Sequence, residues 1–340
     1  MNAGERIGAY RVVTRVEDDA DPLLVVRWEE VPSGPLSCLR RVDPRDAGRA
    51  RAIIGRVAKN GEPPPTAPTT VVEHGGLVFV ASAFSPHLSL RRLLDACFEK
   101  RRRLEPHVAV HVVARAAGEL ASMGVAHGAL DLARIGIDPR GEVQVLGLGA
   151  THSQLDEHAM PDTRRIGYVA PEVDMIAETD DGADIFSFGV ILWEALTLRR
   201  LFPASSEADA RARMRGGAIP PPTTLAREVP ERVERVVMKA LALEADERFG
   251  SVAEFAKALA SVVDPVQAPS LARLARTLVD PANVLTDVPE FAKAWRNVEP
   301  ESALLETLAA PLPTFFPKSF GDEPIRPKRP MMAPRTQTLI

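Results

Sequence analysis

Cysteine is nearly missing from this 340-residue chain, Cys38 and Cys97 being the only two. They are too few and too far apart for a disulfide framework or a four-ligand zinc site, so a reducing compartment is expected. An excess of one charge is missing as well. Forty-two basic residues stand against 46 acidic ones, a formal net charge of −4, and no overall field draws the chain to nucleic acid or to an anionic membrane. Long apolar runs are lacking. Phe186 to Leu198, among the longest, is broken by Ser187 and Glu194 and falls short of the ~18–20 residues that a membrane span needs. The opening MNAGERIGAY has none of the basic, apolar and small-residue parts of an export signal. No internal repeat is visible. These absences leave a soluble, cytoplasmic globular protein as the expectation, in keeping with 45% hydrophobic and 26% charged residues.

What is present changes character along the chain. From Tyr10 to Val42, short β-rich runs (YRVVTRV, LLVVRW, LSCLRRV) alternate with Asp/Pro or Pro/Ser/Gly turns and predict antiparallel strands. Asp46 to Lys59 has helical character. The segment NGEPPPTAPTT then breaks the chain before a further strand pair, TTVVEHGGLVFVAS, that turns at Gly75-Gly76. From Ser89 onward helical spacing dominates, as in HVAVHVVARAAGELASMG, for which Gly124 is a natural stop. The pattern predicts a small β-rich lobe at about 8–86 followed by a larger helical lobe at about 87–262. Beyond Val262, prolines recur from Pro265 to Pro334, and 263–340 reads as a Pro-rich tail. Within it, SLARLARTLV starts on a capping Ser270 and aligns Leu271, Leu274 and Leu278, while DVPEFAKAW pairs Phe291 with Trp295. Such faces pack back on the helical lobe or dock on a partner. The last stretch, RPKRPMMAPRTQTLI, is too proline-rich to build a core and reads as a flexible peptide able to engage a partner.

The segment MGVAHGALDLARIGIDPRGEVQVLGLGA resembles the catalytic and metal-binding loops of the bacterial eukaryotic-like (Hanks-type) Ser/Thr protein kinase family. GYVAPE with Glu172, DGADIFSFGVILWEALTLRRLF with Asp184, and EADERFGSVAEFAKAL with Arg248 follow in the order and spacing of that family. The resemblance covers most of the chain and implies an α+β, two-lobed protein-kinase-like fold.

The same comparison puts other residues where the family has its chemistry. The glycine-rich phosphate loop matches VEDDADPLL, with Glu17, Asp19 and Pro22 at its three glycines and Asp18 and Asp21 beside them, so carboxylates face a polyanion. The family's strand lysine matches Arg40, and its helix glutamate falls near Arg56. His127 stands at the histidine of the catalytic loop, but Gly128 and Ala129 replace the arginine and the aspartate base. Arg134 and Gly147 match the two magnesium ligands, and Cys38 and Gly136 match the residues above and below adenine. The resemblance therefore leads to the expectation of a degenerate member, a pseudokinase that is not an enzyme, has no catalytic, cofactor or metal residue, and keeps only Arg40 of the nucleotide pocket. His127, Glu172, Asp184 and Arg248 are expected to have structural roles. Glu172 and Arg248 should form a buried ion pair, and Asp184 should accept hydrogen bonds from catalytic-loop N–H groups.

Other signals are weaker. His107 and His111 lie four apart on an expected helix but have no third metal ligand. Arg91, Arg92 and Lys100 to Arg103 form a basic cluster without interleaved aromatics, best read as a solvated face. No G-x-S-x-G turn supports a nucleophile triad. Thr163, beside Arg164 and Arg165 in the segment matching the activation loop, is a candidate phosphosite. The leading expectation is a regulatory scaffold for other signalling proteins, among them an active kinase, without nucleic acid or cofactor. The alternatives are an atypical ATP-dependent Ser/Thr kinase and a small-ligand sensor using the inter-lobe cleft.

Overall fold

The computed structural model describes residues 1–16, 23–31, 33–60, 62–149, 166–173, 180–279 and 289–312. The first lobe is a six-stranded antiparallel sheet in the order β1-β2-β3-β4-β6-β5. Its strands are β1 (Arg6–Ile7), β2 (Tyr10–Val16), β3 (Leu23–Trp28), β4 (Leu36–Val42), β5 (Pro68–His74) and β6 (Leu77–Ala83). The helix α1 (Ala47–Val57) lies between β4 and β5 in sequence. Alternation along the strands separates two apolar faces. Tyr10, Val12, Leu24, Val26, Leu39, Phe79 and Ala81 close one core with Ile7, whereas Val42, Val78 and Val80 take Ala47 and Ala50 of α1. The β5–β6 turn needs two left-handed residues, and Gly75 (φ 57°) and Gly76 (φ 77°) supply them.

The second lobe is helical. It opens with β7 (Leu88–Ser89), α2 (Leu90–Glu99), β8 (Arg102–Leu104) and α3 (Pro106–Met123), followed by the hairpin β9 (Ile135–Ile137) and β10 (Val143–Val145). Pro106 starts α3, and Gly124 ends it in the left-handed conformation (φ 64°). Next comes α4 (Asp181–Thr197), apolar nearly all round and buried from Ala183 to Thr197, which makes it the centre of the lobe. Around it lie α5 (Glu207–Gly216), α6 (Glu231–Ala240) and α7 (Val252–Val262).

After Val262 the chain continues through α8 (Ala268–Leu278), α9 (Pro289–Arg296), α10 (Leu304–Thr307) and β11 (Ala309–Pro311). The apolar stripe of α8 buries Leu271, Leu274 and Leu278, and Trp295 is fully buried; the side chain of Phe291 lies outside the described residues. β11 pairs antiparallel with β8, Ala309 opposite Leu104 and Pro311 opposite Arg102. The basic cluster, expected to be solvated, has a different use here. Arg102 donates to the carbonyls of Leu305 (2.9 Å) and Ala309 (3.0 Å), and Arg103, 5% exposed, pairs with Glu228. His111 accepts the N–H of Val266 at 3.3 Å. The described part of the post-262 segment therefore packs on the helical lobe, while residues 313–340 lie outside the described residues. No helix among the described residues is long and apolar enough to cross a membrane.

Candidate functional site: the cleft between the lobes

The floor of the cleft is built by the loop from His127 to Arg134 and the turn from Leu146 to Gly149. His127 is buried. Its Nδ1 accepts the N–H of Ala129 (3.2 Å), which leaves the proton on Nε2, 3.0 Å from the carbonyl of Leu146. Asp184, at the start of α4, accepts the N–H groups of His127 (2.6 Å) and Gly128 (2.8 Å). Burial pushes its carboxyl up to about 7, with those two N–H bonds pulling the other way. Gly128 (φ 71°) lets the backbone present both donors to one carboxylate.

Asp131 stands two residues beyond Ala129. It is fully buried and caps a 3-10 turn, accepting from the N–H groups of Ala133 (2.7 Å) and Arg134 (3.2 Å). Arg134 ends that turn with 0% exposure, and its guanidinium lies against Gly147 (φ 74°). Arg40, 5% exposed, sits on β4 between Leu23 and Val80. Arg56 is exposed on α1, a helix whose residues Ala47–Val57 include no carboxylate. Arg49 of α1 donates to the carbonyl of His127 at 3.4 Å. At the positions the resemblance matches to the adenine slot, Cys38 Sγ lies 3.1 Å from Ser82 Oγ. A Cβ on Gly136 would stand 3.0 Å from Leu146 and 3.1 Å from His87, so neighbouring side chains already close that surface.

Arg248 and Glu172 join through two bonds of 2.6 and 2.8 Å. The Arg248 side chain is fully buried, while that of Glu172 is 37% exposed. A second polar cluster, not singled out in the sequence, lies alongside. Tyr168 donates to Glu194 (2.5 Å) and receives a bond from Arg91 (3.0 Å); Arg200 donates to Glu194 (3.0 Å) and to the carbonyl of Ile166. Burial raises the Tyr168 hydroxyl pKa far beyond its ordinary value. Only a run of scattered polar residues within apolar segments hinted at this cluster, since Arg91, Tyr168 and Glu194 come from three separate stretches. The acidic turn at 17–22 and the residues Thr151, Ser153, Thr163, Arg164 and Arg165 lie outside the described residues.

Among the described residues no group of three or more His, Cys, Asp or Glu side chains could hold a metal. At the two positions matched to magnesium ligands, Arg134 brings a cation and Gly147 brings no side chain, a donor set that does not fit a hard divalent ion.

The family model of protein tyrosine and serine/threonine kinases matches residues 68–256. The chain belongs to this kinase family. It is 31% identical over 143 residues to the tyrosine-protein kinase MasK of Myxococcus xanthus (strain DK1622), covering 40% of this chain and 22% of that protein. To the serine/threonine-protein kinase Pkn1 of Myxococcus xanthus it is 32% identical over 123 residues, covering 34% of this chain and 18% of Pkn1. To the serine/threonine-protein kinase PknD of Chlamydia trachomatis serovar L2b it is 33% identical over 93 residues, covering 27% of this chain and 10% of PknD. The chain thus spans less than a quarter of the length of each of these relatives in the matched stretches.

These matches correct one expectation. The chain was expected not to be an enzyme, yet a kinase family model and relatives named as kinases point to one. The physical reason is one of magnitude. A missing general base typically costs ~10²–10⁴ in rate, against total accelerations of ~10⁶–10¹⁷, so an alanine at the one position expected to hold the base, Ala129, does not by itself exclude a reaction. Electrostatic stabilisation at the phosphate, moreover, is not tied to one residue position.

Proposed function

We propose that this kinase-family chain acts in bacterial signalling, in the cytoplasm, as a regulatory scaffold or allosteric partner of other signalling proteins. The observation that carries the reading is the contrast inside the cleft. Contacts that brace the kinase fold, Asp184 to the loop N–H groups and Arg248 to Glu172, are fully made, while its floor is packed with the protein's own side chains at Gly136 and Gly147. A well-braced lobe presents a fixed surface to partners, and phosphate transfer by the same chain is compatible with that role. His127, Glu172, Asp184 and Arg248 are proposed as the residues that keep this surface in shape.

A second reading, an atypical ATP-dependent Ser/Thr kinase, is favoured by the named kinase relatives; in it Arg40 would face the nucleotide phosphates. Thr163 is proposed as a site at which an active kinase acts on this chain. One assay separates the readings. A purified bacterial Ser/Thr kinase from the same cells is incubated with labelled ATP, with and without this chain, and its rate and the label at Thr163 are measured. The scaffold reading expects tight association and a changed kinase rate. Unchanged rate, no association, and label transferred to a protein substrate by this chain alone but not by Arg40→Ala would replace it with the second reading. An unlabelled Thr163 would remove the phosphosite.

A further inference from the structure

The stretch from Ile166 to Val173 is largely buried but forms no helix or strand. Among the described residues the only backbone–backbone bond involving it is Val173 N–H to the Ala170 carbonyl (3.1 Å). Buried backbone groups that lack a ladder need other partners, and side chains supply them from two directions. From the centre of the lobe, Arg200 donates to the Ile166 carbonyl, Ser187 donates to the Tyr168 carbonyl (2.8 Å), and Arg248 holds the Glu172 side chain. The others come from α5. Glu207 accepts the Gly167 N–H (3.4 Å), Arg211 donates to the Val173 carbonyl (3.2 Å) and Arg215 donates to the Pro171 carbonyl (2.6 Å). Steps of four residues put 207, 211 and 215 on one stripe of the helix. Ala210 and Met214, the buried residues of α5, form the next stripe, while Arg213 and Asp209 pair with each other on the solvent side (3.1 Å). EADARARMRG is thus divided into a seat, a set of bonds to 166–173 and a solvated face. Two buried side chains make a shallow seat for a ten-residue helix, so the bonds to 166–173 also hold α5 in place.

In protein kinases the A-P-E motif closes the activation segment, and Ala170–Glu172 stand at that place here. We propose that α5 is a clasp on the end of this segment, with Arg211 and Arg215 as its positioning residues. The order of 166–173 follows the seating of α5, and a shift of the helix reaches the segment while the core helices keep their places. The coupling is present whichever output the chain has. It runs both ways, since each side holds the other through the same bonds. Disturbing the seat at Met214 therefore loosens 166–173 even though every clasp group is still there. Removing Arg213, on the solvent face, does not.

The test is amide hydrogen exchange on the full chain, comparing peptides that cover 166–173 with peptides from α4. The pair Arg211→Ala with Arg215→Ala should speed exchange over 166–173 roughly tenfold while the amides of α4 keep their protection. A general loss of stability would move both. Met214→Ala should speed the same stretch by a smaller factor, and Arg213→Ala should leave it as in the wild type. Each arginine offers one N–H to one carbonyl, a task that an ammonium also performs, so the pair Arg211→Lys with Arg215→Lys should exchange more slowly than the alanine pair. Wild-type exchange over 166–173 in the alanine pair or in Met214→Ala, or a lysine pair as fast as the alanine pair, overturns the proposal. If the alanine pair loses the protection of α4 as well, Arg215→Ala alone, at an exposed residue, decides it: faster exchange confined to 166–173 upholds the clasp, and an unchanged stretch overturns it.

Discussion

Arg248 satisfies five acceptors at once: both Glu172 oxygens and the carbonyls of Ala242, Gly182 and Leu243. Its guanidinium also lies 4.9 Å from the Phe186 ring centroid. The two partners of the ion pair are unequal, because Glu172 keeps contact with water and Arg248 has none. Removing the carboxylate leaves a buried cation supported by three carbonyl dipoles and the Phe186 ring, and such a loss usually costs ~3–5 kcal/mol. Three remaining carbonyls soften it, so Glu172→Ala should destabilise the chain by about 3 kcal/mol at the lower edge of that range. Urea unfolding of the two proteins measures it, and a difference below ~1 kcal/mol would mean that the carbonyls alone suffice to hold Arg248.

Elements with strong periodicity are legible in the sequence itself. The strands from Tyr10 to Ala83, the stop of α3 at Gly124 and the stripe of α8 each express one period of apolar residues or one turn signal. β11 expresses neither. Its three residues, Ala309–Pro311, have no alternation, and its partner β8 begins with two arginines that read as surface. That pairing depends on chain segments far apart in sequence, as do the contact of Arg134 with Gly147 and the Tyr168 cluster, and no local pattern records them. The same holds for Asp131, whose role as a cap is visible only once the turn to Arg134 exists. At this scale the post-262 segment supplies Leu271, Leu274, Leu278 and Trp295 to the core. Ending the chain after Val262 should therefore lower stability by at least ~3 kcal/mol, more than a single large-to-small core change. Thermal melting of the shortened chain checks this, and an unchanged midpoint would make the segment an appendage.

Across the molecule, the Pro-rich connection between α1 and β5 ties one lobe to the other. Asn60 donates to the carbonyl of Met123 at 2.8 Å, and Thr66 donates to Glu119 at 3.1 Å. Glu119 also accepts the N–H of Val145 at 2.6 Å, yet burial outweighs these bonds and pushes its carboxyl from 4.5 up to about 7. The folded chain therefore binds a proton here that the unfolded chain has already lost above pH 4.5. Stability from this group is fully present below about 4.5, falls as pH rises towards about 7 and is flat above that. Asp184 adds a slope of the same sign and His111, whose pKa burial lowers, one of the opposite sign. Glu119→Gln should flatten the change in denaturation midpoint between pH 5 and pH 7 by about one group's share. An equally steep profile in the variant would assign the slope elsewhere.

The pairing of β11 with β8 also imposes an order in time. Arg102 and the Ala309 carbonyl that it bonds are 207 residues apart. At a synthesis rate of ~5–20 residues per second, the β8 edge leaves the ribosome roughly 10–40 s before the strand that covers it. Throughout that interval the nascent lobe carries an open strand edge and the uncovered seat of α8, the kind of surface on which chaperones act and neighbouring chains aggregate. Slowing translation over residues 263–312 would lengthen that exposure without altering a single contact of the finished protein.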